Sequence, residues 1–202
     1  MRGFADLYAA LDETTKINVK VAALVDYFRE APPEDAAWAV HFLSGNRPKR
    51  LVGPARIRAW AAEAAGIPPW LFEECYQAVG DLAETVALLL PGGEAASPLP
   101  LHRWVEDRLL PLRVLEEEEQ KARVMDAWSE LTSRQLFLWN KLLTGSFRVG
   151  VSQRLVVRAL GRMSGVEEAA LAHRLMGRWQ PTARAYQALF DPHRLARPRG
   201  QW

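Results

Sequence analysis

Shifted by 100 residues, the sequence meets itself. Leu24-Val25-Asp26 and Phe28 align with Val124-Met125-Asp126 and Trp128, and Glu30 with Glu130. Phe42-Leu43-Ser44-Gly45 aligns with Leu142-Leu143-Thr144-Gly145, and Arg58-Ala59 with Arg158-Ala159. After a slip of one residue, Gly66-Ile67 meets Gly165-Val166. Apolar stripes, helix caps and glycines recur in one order, which predicts two similar halves related by an approximate two-fold axis.

The stripes have helical spacing, and Pro and Gly punctuate them. Ile17, Val21, Leu24, Val25 and Phe28 share one face, and Pro32-Pro33 ends that helix. Trp38, Phe42 and Leu43 form a second stripe, closed by Ser44-Gly45. Pro54 opens a helix over 54–65, closed by Gly66, and Pro68-Pro69 opens the next, through Trp70, Leu71, Cys75 and Val79 to Gly80. A helix over 82–90 is broken by Pro91-Gly92-Gly93, and 91–100 read as a linker or exposed loop. Helices resume through Trp104, Val105 and Leu109, then over about 113–130, 133–143, 152–163, 166–178 and 182–190. The expected fold is all-α: a compact bundle of about ten to twelve short helices with an internal pseudo-two-fold repeat. Half-repeats are expected at about 16–90 and 113–190, within one helical domain over 1–190, followed by a basic tail or linker over 191–202. Most of the eight Trp are expected in the core.

At 202 residues the chain is long enough to bury a core. No apolar run approaches the ~20 residues of a membrane span, so no membrane partner is expected. The N-terminus lacks a secretion signal, and the single Cys75 has no internal partner for a disulfide, so a cytoplasmic location is expected. The net charge of +2 conceals an asymmetry: residues 134–202 hold twelve basic and three acidic side chains, a net of +9. A concentrated basic region points to a polyanion partner.

Leu143-Thr144-Gly145-Ser146-Phe147-Arg148-Val149-Gly150-Val151-Ser152 is the sharpest segment. Small residues before a helix start leave free N–H groups beside the positive end of the helix dipole, which suits an anion. Arg148 and Arg154 add charge. The alternative is an ordinary helix–loop–helix turn capped by Ser152. Gly145 and Gly150 have nucleotide P-loop spacing, but Val151-Ser152 stands where Lys-Ser/Thr is needed, so that motif is excluded. The repeat-mate, Ser44-Gly45-Asn46-Arg47-Pro48-Lys49-Arg50-Leu51-Val52-Gly53, has the same plan, and by itself reads equally as a solvated loop. Two such loops on a pseudo-symmetric scaffold suit the two strands of a duplex, Gly45, Arg47, Lys49 and Arg50 on one and Gly145, Ser146, Arg148, Gly150, Ser152 and Arg154 on the other. Gly80-Asp81 forms a third junction, readable as capping alone or as a further contact.

Catalytic signals are few. His41, His102, His173 and His193 lack metal-ligand spacing, none pairs with Cys75, and Glu116 to Glu119 read as a solvated helix face. No catalytic residue and no metal site is expected. A helical protein–protein adaptor docking an acidic partner is the alternative reading of the same basic region.

These segments resemble the N-terminal DNA-binding domain of bacterial ATP-dependent DNA ligases over about residues 1–190. The carriers are Phe4-Ala5-Asp6-Leu7-Tyr8, Lys16, Lys20-Val21, Phe42-Leu43-Ser44-Gly45, Cys75-Tyr76-Gln77-Ala78-Val79-Gly80-Asp81-Leu82-Ala83-Glu84 and Leu142–Val151. The resemblance implies an all-helical domain that binds the minor-groove face of nicked double-stranded DNA during repair or replication. It implies DNA contact at Gly145, Ser146, Arg148 and Gly150, and at Gly80 and Asp81. It also implies that the catalytic domains of a parent ligase are partners, and that ATP and Mg²⁺ belong to them. None of Lys16, Lys20, Lys49, Lys121 and Lys141 begins the Lys-x-Asp-Gly motif of the family's nucleotidyltransferase domain, so this chain alone is expected to bind and not to seal.

Overall fold

Proline sets three helix starts and left-handed glycine sets three ends. Pro33, Pro54 and Pro69 each stand at the first helical position, where the missing N–H costs nothing. Gly66, Gly80 and Gly165 close the helices that precede them. The computed structural model describes residues 1–46 and 49–193. Within them lie twelve α-helices and no strand. The first half comprises α1 (Arg2–Asp12), α2 (Ile17–Glu30), α3 (Pro33–Leu43), α4 (Pro54–Ala65), α5 (Pro69–Val79) and α6 (Leu82–Leu89). A short α7 (Leu101–Arg103) continues into a π-helical stretch, Trp104–Leu109, and a 3-10 stretch, Leu110–Val114. The second half comprises α8 (Glu117–Glu130), α9 (Ser133–Leu143), α10 (Gln153–Ser164), α11 (Glu168–Arg174) and α12 (Ala183–Ala188).

The order α2 to α6 recurs as α8 to α12, with α8 and α9 starting 100 residues after α2 and α3. Packing follows the same exchange. α6 lies on α9 as α12 lies on α3, and α4 touches α8 as α10 touches α2. Each half thus lends helices to the other, as an approximate two-fold relation requires. α1 packs on both α2 and α9, joining the halves.

Trp104, Trp128 and Trp139 fill the interior, each at most 2 % exposed. Trp104 and Trp139 meet edge to face at 5.2 Å, and Trp128 Nε1 donates to the buried Asn140 Oδ1 at 3.0 Å. Asn140 Nδ2 in turn donates to Leu136 O at 2.8 Å, so this polar group inside the core is satisfied. The expectation of core tryptophans fails at Trp70, which is 67 % exposed at the start of α5.

Several sequence expectations need correction. α1 precedes the first expected helix, and no side chain caps its start. Residues 91–100 are not a free linker: Gly93 N donates to Leu131 O at 2.8 Å, Ser97 N to Gln135 Oε1 at 3.3 Å, and the Met1 amine to Leu99 O at 2.9 Å. A Cβ at Gly92 would stand 3.2 Å from Leu131 O, which shows how closely this strap lies on the start of α9. The helix expected over 113–130 begins only at Glu117, because Leu115 and Glu116 turn extended after the 3-10 stretch. The one expected over 166–178 stops at Arg174, before Gly177 reverses the chain at φ +78°. Of the basic tail expected over 191–202, residues 194–202 lie outside the described residues.

Candidate nucleic-acid interface

The two expected loops open on the same turn. Ser44 N donates to Val40 O at 3.0 Å, and Thr144 N to Asn140 O at 3.1 Å. Asn46 N donates to His41 O at 3.2 Å, and Ser146 N to Lys141 O at 3.0 Å. Both turns pivot on a glycine with positive φ, Gly45 at +93° and Gly145 at +69°, where an L side chain would strain the backbone. Repetition of sequence thus becomes repetition of backbone.

The loops also meet. Leu51 N and Val52 N, beyond the first turn, both donate to Leu143 O at the second, at 3.0 and 3.3 Å. Gly45 shares a cavity of about 230 Å³ with Arg148, Val149, Gly150 and Val151. Below lies an aromatic floor, in which Phe147 contacts Phe4 at 6.0 Å, Phe42 at 6.0 Å and Tyr8 at 5.0 Å. Aromatic rings from α1 and α3 therefore pack the Phe147 loop against the end of α3.

Lys20 braces this platform from within. It is only 8 % exposed, and its Nζ donates to Val149 O at 3.0 Å and Gly150 O at 3.1 Å. Tyr8 Oη donates to Arg148 O at 3.2 Å. Burial, with the charge of Asp12 nearby, raises the Tyr8 phenol well above its ordinary range, so it remains a neutral donor. In a trans peptide the N–H points opposite to the C=O. Carbonyls 148, 149 and 150 are drawn inward, so the N–H groups of Val149, Gly150 and Val151 are turned away from Tyr8 and Lys20. Among the described residues, the N–H groups of Gly150 and Val151 have no partner. They lie immediately before α10, whose first N–H groups add the positive end of the helix dipole.

Ser152 caps α10, its Oγ accepting from Leu155 N at 3.4 Å. Arg154, Arg158 and Arg162 follow at four-residue intervals along α10. Arg148 and Arg154 are exposed, as are Lys49 and Arg50. Among the described residues none of these cations lies within ion-pair distance of a carboxylate. Ion pairs gather elsewhere, such as Arg56–Glu117, Arg58–Glu73 and Lys121–Glu63 around α4 and α8. The uncompensated charge thus sits beside the paired turns. Arg47 lies outside the described residues.

Asp81 connects to the second turn through Lys141. Asp81 Oδ1 accepts from Glu84 N at 2.8 Å and caps α6 as expected, while Oδ2 takes the Lys141 ammonium. Both carboxylate oxygens are therefore engaged within the fold. Lys141 O accepts from Ser146 N, so this pair steadies the turn at Gly145. Sequence reasoning named the exposed residues of the platform, but Lys20 only as a carrier of the resemblance, with no bracing role. The missed signal was a lysine on the apolar stripe of α2, at helical spacing between Ile17 and Leu24.

Among the described residues, no group of three His, Cys, Asp or Glu side chains could hold a metal ion, and no helix is long and apolar enough to cross a membrane. The family model described as DNA ligase N terminus matches residues 1–161. The chain belongs to the DNA ligase N-terminal family. That stretch runs from α1 into α10 and includes the whole platform, and the all-helical architecture agrees with the family's domain. No curated protein matches the chain in sequence.

Proposed function

We propose that this domain grips nicked double-stranded DNA along its minor-groove face without reading sequence, and holds it for the catalytic domains of a ligase. The observation that carries this is the cavity that Gly45 shares with Arg148, Val149, Gly150 and Val151, beside exposed cations that have no ion-pair partner among the described residues. Backbone N–H groups at Gly150 and Val151 suit phosphate oxygens, and Arg148 and Arg154 suit them bidentately. Lys49 and Arg50 serve the other strand. Such contacts fix position and carry no base information, which is what nick sealing at arbitrary sequence demands. Residues Gly45, Gly80, Gly145, Ser146 and Ser152 shape the turns that present these groups.

The test is Arg148→Ala combined with Arg154→Ala, assayed by fluorescence anisotropy on a nicked duplex. Affinity should fall by about 2 kcal/mol, roughly thirtyfold, with helical circular dichroism unchanged. Unchanged affinity would place the interface elsewhere and favour an acidic protein as the partner of the basic region.

A further inference from the structure

The pseudo-symmetry leaves one corner of the molecule unfinished. In the second half, the corner where α6 meets α9 is internally satisfied. Lys141 pairs with Asp81, and Thr144 Oγ1 bonds to Ser146 Oγ at 2.7 Å and to Asn140 O at 2.8 Å. Its counterpart is the corner where α12 meets α3. There His41 takes the place of Lys141 and Ser44 that of Thr144. The cap of α12 is Thr182, where the cap of α6 is Asp81. The carboxylate has no equivalent.

In its place is a cavity of about 240 Å³. His41, Ser44, Asn46, Gln153, Arg178 and Gln180 line it. Ser44 Oγ and His41 Nδ1 are buried from solvent and have no hydrogen-bond partner. Asn46, Gln153, Arg178 and Gln180 are exposed around the cavity's mouth, and among the described residues their side chains make no hydrogen bond or ion pair, so they are free to turn onto a ligand. Buried polar atoms are nearly always satisfied, so Ser44 Oγ and His41 Nδ1 at the floor of the hollow point to a partner there. Its polar lining holds one guanidinium, one hydroxyl, three amides, an imidazole and an indole, and no carboxylate. That set complements a compact oxyanion with several acceptors.

We infer that this cavity binds a phosphate group, held by Arg178, Ser44, Asn46, Gln153 and Gln180. The group takes the role that the Asp81 carboxylate plays in the other corner. Asn46 directly follows Gly45, so the cavity borders the platform. To the extent that the phosphate comes from DNA, the inference rests on the proposed function; that an oxyanion binds there does not.

The experiment is an NMR titration of the intact chain, following the His41 ring nitrogens, with inorganic phosphate against chloride at constant ionic strength. A saturable shift with phosphate, absent with chloride and abolished in Arg178→Ala, is expected. Arg178 is exposed, so that variant keeps its fold; Ser44→Ala provides a second, with affinity reduced on the order of tenfold for one lost hydrogen bond to an anion. No shift, or the same shift in Arg178→Ala, overturns the inference. Nicked duplexes with a 5′-phosphate or a 5′-hydroxyl then separate the sources. Equal His41 shifts assign a backbone diester, and a shift only with the 5′-phosphate assigns the terminal group. A duplex that fails to bind while phosphate still moves His41 refutes the proposed function and leaves the cavity standing.

Discussion

Replacing Lys20 by Met removes the ammonium and keeps the stem. Two charge-assisted bonds, at 3.0 and 3.1 Å, disappear together. Each is worth about 1.5–3 kcal/mol before the cost of burying the ammonium is set against it. That cost is large for a lysine only 8 % exposed and, among the described residues, without an ion-pair partner. The expected net loss of stability is therefore about 2 kcal/mol. The carbonyls of Val149 and Gly150 are then free to turn outward, and the N–H groups of Gly150 and Val151 lose their fixed direction. Affinity for a nicked duplex should fall about tenfold, one orienting contact's worth. Stability is read by urea denaturation monitored through tryptophan fluorescence, with the slope against urea unchanged. Affinity is read by anisotropy at several salt concentrations. Lys20 lies beneath the loop, so the salt slope should stay as in the wild type even as affinity drops. A shallower slope would mean that Lys20 itself touches phosphate. A variant within about 0.5 kcal/mol of wild-type stability, the ordinary range for surface substitutions, and with unchanged affinity would refute the bracing role.

Two further outcomes follow from the same geometry. Gly150→Ala places a Cβ 2.9 Å from Lys20 Nζ at a φ of +60°, so it should cost about 1–2 kcal/mol and, combined with Lys20→Met, less than the sum of the two in urea melts. Additive losses would show that the two residues do not act together. Burial lowers the His41 pKa from its ordinary value of 6.5, so the folded protein binds fewer protons there than the unfolded chain. Stability from this group is thus full above about pH 6.5 and declines as pH falls below it. In phosphate-free buffer the Tm of His41→Gln should drop less between pH 7.5 and 5.5 than that of the wild type, and identical drops would contradict the assignment.

Much of the fold was legible because its helices carry explicit start and stop chemistry. The helix over 133–143 and that over 54–65 match the structure residue for residue. The first opens with a capping box at Thr132 and Gln135, the second with Pro54, closed by Gly66. α1 went unseen because its cap is Met1, whose side chain bonds nothing. Residues 91–100 read as a linker because their composition is that of a loop; their tethers to Leu131 and Gln135 depend on tertiary neighbours. The repeat was legible as matched caps and stripes, yet the exchange of helices between halves was not, since periodicity shows a helix's face and not its partner. The exposed loop residues of the platform could be named from charge and glycine spacing. The bracing role of Lys20 could not, because a lysine on an apolar stripe looks like a long stem reaching for solvent. The corner at His41 was equally hidden, since Ser44, Gln153 and Arg178 converge only once α10 and α12 cross to the first half.

The most direct test of the paired-turn platform is the salt dependence of binding to a nicked duplex of arbitrary sequence. Contacts with about six phosphates give a log–log slope of affinity against salt near −5. Scrambling the sequence should leave both affinity and slope in place. A slope near zero between low and physiological salt, or no binding at all, would contradict a surface built to hold two phosphate strands.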